Sequence, residues 1–338
     1  MSSKELVQAA VRREEVDRVP VAPPFQGYWA LALAGVKVKE SIDNPIRAAR
    51  AQIQAVGACG FDAMGVMWDW LAPAEALGCE VKVPEHGTIM TWTPVVEDRS
   101  SLDRLRIPDP GEDYRLKAAF ETSELLINEL GKEKYLMASL AAPFTLAGEL
   151  RGVGKLMMDT ILDPDMARDV INFSTETTIV YLEEMVKKDI DAIILSDPTA
   201  SGALVSKEDF GRFSQPYLKE CGKRIKNSGK HFIVHICGDT GDRLEHVADV
   251  GADVFSVDYQ LDIATAMRAL GSRQAILGNV KPAQTLLGGT PEDVRRESLE
   301  CIQKGGRRGF ILGAGCDIAL GTPLENVRVW HDVVRRAR

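Results

Sequence analysis

A chain of 338 residues, 45% hydrophobic and 27% charged, can bury a large core and has the composition of an ordinary globular protein rather than a disordered one. Its net charge of −8, with no convincing cluster of Lys and Arg, argues against a nucleic-acid partner, because neutralising phosphates needs a basic surface. No apolar run approaches the ~20 residues a membrane span needs. The start, Met1-Ser2-Ser3-Lys4-Glu5, lacks the apolar stretch of a signal peptide, and the six cysteines are scattered without a disulfide framework. The expected setting is therefore cytoplasmic, with no membrane contact and reduced thiols.

Residues 4–15 read as a short amphipathic helix, followed by an extended run from Pro20 to Phe25. Asn44 caps a helix with Pro45 in its first turn, where the missing donor costs nothing; it runs to about Val56. Phe61 to Trp68 is a second strand, and the broken alternation from Glu80 to Val96 reads as an inserted hairpin. A helix over 114–130, a strand over 135–140 and a helical stretch over 143–158 follow. Asp163-Pro164 opens a helix to Lys187.

From there the alternation is regular. Strands over 191–195, 231–236, 254–257, 275–277 and 309–312 are separated by helices over 207–227, 242–250, 263–270 and 291–304, with a closing helix from Pro323. With the runs at Pro20, Phe61 and Tyr135 the strands number eight, which predicts a (β/α)8 barrel, a TIM barrel, with an N-terminal helical extension and the inserted hairpin, all one domain over 1–338. A doubly wound open sheet is the alternative, since periodicity alone does not show closure.

The polar residues at the predicted strand tips favour the barrel. Asp69, Ser196, Asp197, His235, Cys237, Asp258, Asn279 and Cys316 all lie at or just past C-terminal strand ends, the face on which barrel enzymes build their sites.

Within that set His235-Ile236-Cys237 closes the apolar run Phe232-Ile233-Val234, and side chains alternate along a strand, so the imidazole and the thiol can share one side. Cys316 follows a second apolar run, Phe310-Ile311-Leu312. One imidazole and two thiolates suit a catalytic zinc, which commonly takes three protein ligands and keeps a fourth position open. Buried strand-end thiols are the plainer alternative. Two thiolates offset the charge of zinc and leave a weaker Lewis acid than three neutral imidazoles would, which favours delivering a thiolate nucleophile over hydrolysis, with hydrolysis the open alternative. The Gly313-Ala314-Gly315 stretch begins like a dinucleotide fingerprint, but Ile318 occupies the third glycine position.

Several segments resemble the uroporphyrinogen decarboxylase superfamily: Glu14 to Val21, Glu75-Ala76-Leu77-Gly78, Ala142 to Ala147, Ser196-Asp197-Pro198, Leu277 to Pro282 and Gly321-Thr322-Pro323. The resemblance implies a (β/α)8 barrel. It is nearer to the cobamide-dependent methyltransferase branch, because the decarboxylases' arginine-bearing N-terminal segment is here Pro24-Phe25-Gln26-Gly27-Tyr28-Trp29-Ala30. The methyltransferase H-x-C and distant Cys match His235, Cys237 and Cys316, implying zinc and a corrinoid carried by a partner protein. The implied activity is methyl transfer from the corrinoid to a thiol such as coenzyme M. The reverse direction, in which a methylated donor is demethylated onto cobalt(I), is the alternative, ahead of a decarboxylase or a non-catalytic binding module.

Four further residues are candidates for substrate contact. Asp197 either orients a ligand or caps the next loop; Asn279 either bonds substrate or holds a turn. Glu75 either reaches the mouth or lies on a solvated helix face, and Tyr28 either lines the opening or packs beside it.

Overall fold

The computed structural model describes residues 1–67 and 69–336. Its strands are β1 (Ala63–Met67), β2 (Glu80–Lys82), β3 (Met90–Thr93), β4 (Tyr135–Ala141), β5 (Ala192–Ser196), β6 (His231–Ile236), β7 (Val254–Val257), β8 (Ala275–Val280) and β9 (Phe310–Ala314). Trp68, the expected end of the second strand, lies outside the described residues. Seven strands form one parallel sheet in the order β1-β4-β5-β6-β7-β8-β9, and β2 pairs with β3 as the antiparallel hairpin inserted after β1. Spatial order follows chain order, so each parallel neighbour is reached by a helical crossover.

What joins β1 to β9 is the N-terminal run. Asp62 N donates to Val21 O at 2.8 Å on one side, while Ala22 N donates to Leu312 O and Leu312 N to Pro20 O, both at 2.9 Å, on the other. This short stave closes the sheet into a barrel, as the strand count predicts. It stays short because Pro20, Pro23 and Pro24 have no N–H to lend to a ladder. Gly313 permits the closure, since a Cβ there would stand 2.4 Å from Ala22 O.

The two faces of each strand feed different cores. Tyr135 and Met137 join Ala192, Ile194, Ile233, Val254, Ala275, Leu277 and Ile311 in the barrel interior. Leu136, Ala138, Ile193, Phe232 and Val234 instead pack outward against the helices. The helix Ser3–Val11 sends Val7, Ala10 and Val11 into the interior group and so plugs one end of the barrel.

Two expected helices are each a pair. The stretch from Pro143 parts at Gly152 into Pro143–Arg151 and Val153–Leu162. The stretch from Lys207 parts at Ser214 into Lys207–Phe213 and Gln215–Asn227, because Pro216 has no N–H for the carbonyl four residues back and its ring crowds that carbonyl. Gly27–Leu33 is also helical and carries no amphipathic signal, being buried from Gly27 through Leu31. No helix among the described residues is long and apolar enough to cross a membrane.

Candidate metal centre

His235 is the fifth residue of β6, two positions after Ile233 on the inward side, so its ring enters the barrel mouth while Ile236 packs into the outer core. The ring is held by the neighbouring strand: Nδ1 lies 3.0 Å from Ser256 Oγ and 3.2 Å from Ser256 O. A carbonyl only accepts, so the proton is assigned to Nδ1, leaving the Nε2 lone pair free. Phe25 meets the ring edge-on at 5.0 Å between centroids.

Cys316 arrives from the loop after β9, three strands away from β6 in the sheet. Gly315 makes the crossing possible. Its N donates to Val280 O at 2.9 Å, and a Cβ on it would stand 2.5 Å from Tyr259 N, so the loop runs flat over the ends of β8 and β7. The Cys316 Sγ then lies 3.8 Å from Cys237 Sγ, and Cys237 Sγ lies 3.4 Å from His235 Nε2. All three ligand atoms fall within 4.8 Å of one another.

The set fits zinc in donor chemistry, and the separations of Cys237 Sγ from His235 Nε2 and from Cys316 Sγ, 3.4 and 3.8 Å, match those of tetrahedral ligands ~2.0–2.3 Å from one ion. The thiols already favour ionisation of one member. A hydrogen bond from the Cys237 thiol pulls Cys316 well below the usual thiol range, against the effect of burial. The same bond, with burial, pushes Cys237 far up.

Beside these atoms lies a cavity of about 260 Å³, walled by Phe25, Tyr28, Trp70 and Pro198, with His235, Cys237, Cys316 and Asp317 facing it. Asp317 keeps Oδ1 buried with no hydrogen-bond partner. Burial first, and then the charge of Cys316, push its carboxyl up to about 7. Asp258, past the end of β7, is raised by burial, while Gln260 N donates to its Oδ1 at 2.9 Å.

Of the other residues singled out from sequence, Tyr28 lines this cavity. Asp197, Asn279 and Glu75 do not. The Asp197 carboxylate is buried and accepts from Thr145 Oγ1 at 2.7 Å and Ser214 Oγ at 2.6 Å, tying the loop after β5 to the helices outside it. Burial raises it to about 6 in spite of those bonds. Asn279 Nδ2 donates to Asp258 O at 2.9 Å and Leu261 O at 2.6 Å, holding the loop after β7. Glu75 accepts from Arg115 Nη1 at 2.8 Å and borders a separate cavity with Asp109, Glu112 and Asp113.

Sequence reasoning passed over Ser256 and Asp317. A lone hydroxyl inside Val254-Phe255-Ser256-Val257 and an acid directly after the ligand-type Cys316 were the available signals. His231 lies away from the site, at the start of β6, with Nδ1 2.7 Å from the Tyr135 hydroxyl.

The profile of the family described as Uroporphyrinogen decarboxylase (URO-D) matches residues 2–337. A methylcobamide:CoM methyltransferase MtaA of Methanosarcina barkeri is 28% identical over 331 residues, covering 96% of this chain and 95% of its own. A uroporphyrinogen decarboxylase of Chlorobium limicola is 29% identical over 360 residues, covering 99% and 98%. A solved methyltransferase from Methanosarcina mazei superposes with a TM-score of 0.91 at 25% identity, covering 100% of this chain and 99% of the other. The barrel, its closure by the N-terminal run and the match from end to end agree: the chain belongs to the uroporphyrinogen decarboxylase family.

Proposed function

We propose that this chain is a corrinoid-dependent methyltransferase that moves a methyl group from methylcobamide, carried by a corrinoid protein, to a small thiol. The observation that carries this reading is the convergence of His235 Nε2, Cys237 Sγ and Cys316 Sγ within 4.8 Å beside a mostly apolar cavity. The names of the Methanosarcina relatives support the reaction class.

His235, Cys237 and Cys316 would hold zinc. When bound there, zinc would lower the pKa of an entering thiol so that it reacts as the thiolate. The chain's own residues prepare for this. Two thiolate ligands would balance the ion's charge and leave electron density on the incoming sulfur, and Ser256 holds the imidazole by Nδ1 so that Nε2 would be the ligating atom. Phe25, Tyr28, Trp70 and Pro198 surround the place of the reacting sulfur with apolar surface. In the transfer the thiol proton leaves to solvent and a sulfur–carbon bond forms to the methyl group. The cobalt–carbon bond breaks with its electron pair remaining on cobalt, which goes from cobalt(III) to cobalt(I).

Decarboxylation of a polycarboxylate porphyrinogen has less support, because such a substrate needs counter-charges. Gln26, where that family branch carries cationic sequence, is buried and makes strand-like bonds, donating to Gly65 O at 2.7 Å and accepting from Gly65 N at 3.1 Å. The test is an assay of zinc-loaded protein with methylcobalamin and a small thiol, run beside an assay for coproporphyrinogen formation. The reading predicts thiol-dependent demethylation with an equal yield of thioether and no coproporphyrinogen. Porphyrinogen turnover without demethylation would overturn it.

A further inference from the structure

The cavity beside the proposed ligands contains an acid and lacks a fixed cation. Among the described residues lining it none is Lys or Arg, and the imidazole of His235 is already engaged by Ser256 on one nitrogen and faces Cys237 with the other. Arg115, close enough for its charge to act on Tyr28, is gripped by Asp69 and by Glu75 and is buried. Asp317, by contrast, lines the cavity with Oδ1 buried and unpartnered. A buried oxygen left without a donor is unfavourable, and a ligand N–H in the cavity would relieve it.

The cavity sets the size of that ligand. Cys316 and Asp317 line the same space of about 260 Å³, so a thiol with its sulfur at the ligand group has room for only a short tail toward the carboxyl. An anionic tail of the same length would sit in a mostly apolar space, against a carboxyl, with no counter-ion. Coenzyme M, the thiol in the name of the Methanosarcina barkeri relative, is 2-mercaptoethanesulfonate and carries such a tail.

We propose that Asp317 selects the substrate class: a small thiol whose short tail bears an amine and no acidic group. This rests on the methyltransferase reading above and narrows it.

The test compares three thiols with the same two-carbon spacer, 2-aminoethanethiol, 2-mercaptoethanol and 2-mercaptoethanesulfonate, on the zinc-loaded full chain. Methylcobalamin demethylation gives kcat/KM and titration calorimetry gives Kd for each. The expected order is amine, then alcohol, then sulfonate, with the amine ahead of the sulfonate by about tenfold or more in both readouts. Asp317→Asn is expected to shrink the amine-to-sulfonate ratio by about tenfold. A wild-type preference for the sulfonate would overturn the proposal even if the variant did not fold, and so would an unchanged ratio in a folded variant. Absence of demethylation with all three thiols, while calorimetry keeps an Asp317-dependent order, would remove the methyltransferase reading and leave the ligand class supported. Absence of any order in binding would overturn the ligand class itself.

Discussion

Two single residues set the chemistry and the closure of this barrel from behind the scenes. Ser256 supports the proposed centre without facing the substrate. Its removal in Ser256→Ala leaves the backbone carbonyl 3.2 Å from Nδ1, so the ring keeps one acceptor and loses one. The expected result is zinc affinity lowered by about tenfold, at the mild end of the range for such supporting bonds, measured by competition with a chromogenic chelator. Asp62 acts on stability instead. Its buried carboxylate accepts from Nη1 and Nη2 of Arg18 at 2.7 Å each, from Ser3 Oγ at 2.6 Å and from Val21 N at 2.9 Å, fastening the closing stave to β1. Burial opposes ionisation, but Arg18, Ser3 and Val21 together hold the carboxyl below its ordinary value. A depressed folded pKa means stabilisation that is complete above the unfolded carboxylate range, ~4, and is lost as pH falls through the folded value. Asp62→Asn should therefore cost about 3 kcal/mol at neutral pH, with the gap to wild type closing in acid, as read from urea midpoints across pH. At this scale the sequence was informative in part. His235 and Cys237 announce themselves because period two puts them on one side of a strand tip. Ser256 and Asp317 do not, because a single sequence shows a polar residue's place along a strand without showing what it faces.

At the scale of elements, the loop after β9 and the stave from Pro20 to Ala22 do the most. Both depend on glycines that allow backbone to lie against backbone. Gly313→Ala would press a methyl to 2.4 Å from Ala22 O, and overpacking of this kind is expected to cost about 1–3 kcal/mol, seen as a lowered Tm. Gly315→Ala would lift the loop from Tyr259 and carry Cys316 with it. Its expected signature is different: zinc affinity falls by a larger factor than the folding equilibrium does, with both measured on the same preparation. The glycine pair that begins like a dinucleotide fingerprint is thus a pair of close approaches. Most elements were legible from caps and periodicity, and the helix Tyr114–Leu130 and the strands β6 and β7 have the expected bounds. The helix Gly27–Leu33 was not, since burial on all sides erases the amphipathic pattern. The division at Ser214 was signalled by Pro216, whose effect inside a helix is local and steric.

Over the whole molecule, the arrangement assigns the ends of the barrel to different tasks. The helix Ser3–Val11 seals one end with apolar side chains, and the polar strand tips gather at the other. Closure itself was not readable from periodicity, because an open and a closed sheet alternate alike; it rests on the backbone of three residues, Pro20, Val21 and Ala22, that bridges β1 and β9. The net charge of −8 and the carboxyl in the cavity are consistent with a substrate that is not an acid. The central claim is that His235, Cys237 and Cys316 form one zinc centre on which methyl transfer depends. The most direct measurement strips the full chain of metal with a chelator and follows methylcobalamin demethylation while zinc is returned stepwise. The account predicts activity that is absent without metal, rises linearly and levels off at about one zinc per chain, with Cys316→Ser inactive at any point of the titration. Full methyl transfer by the metal-free protein would contradict it.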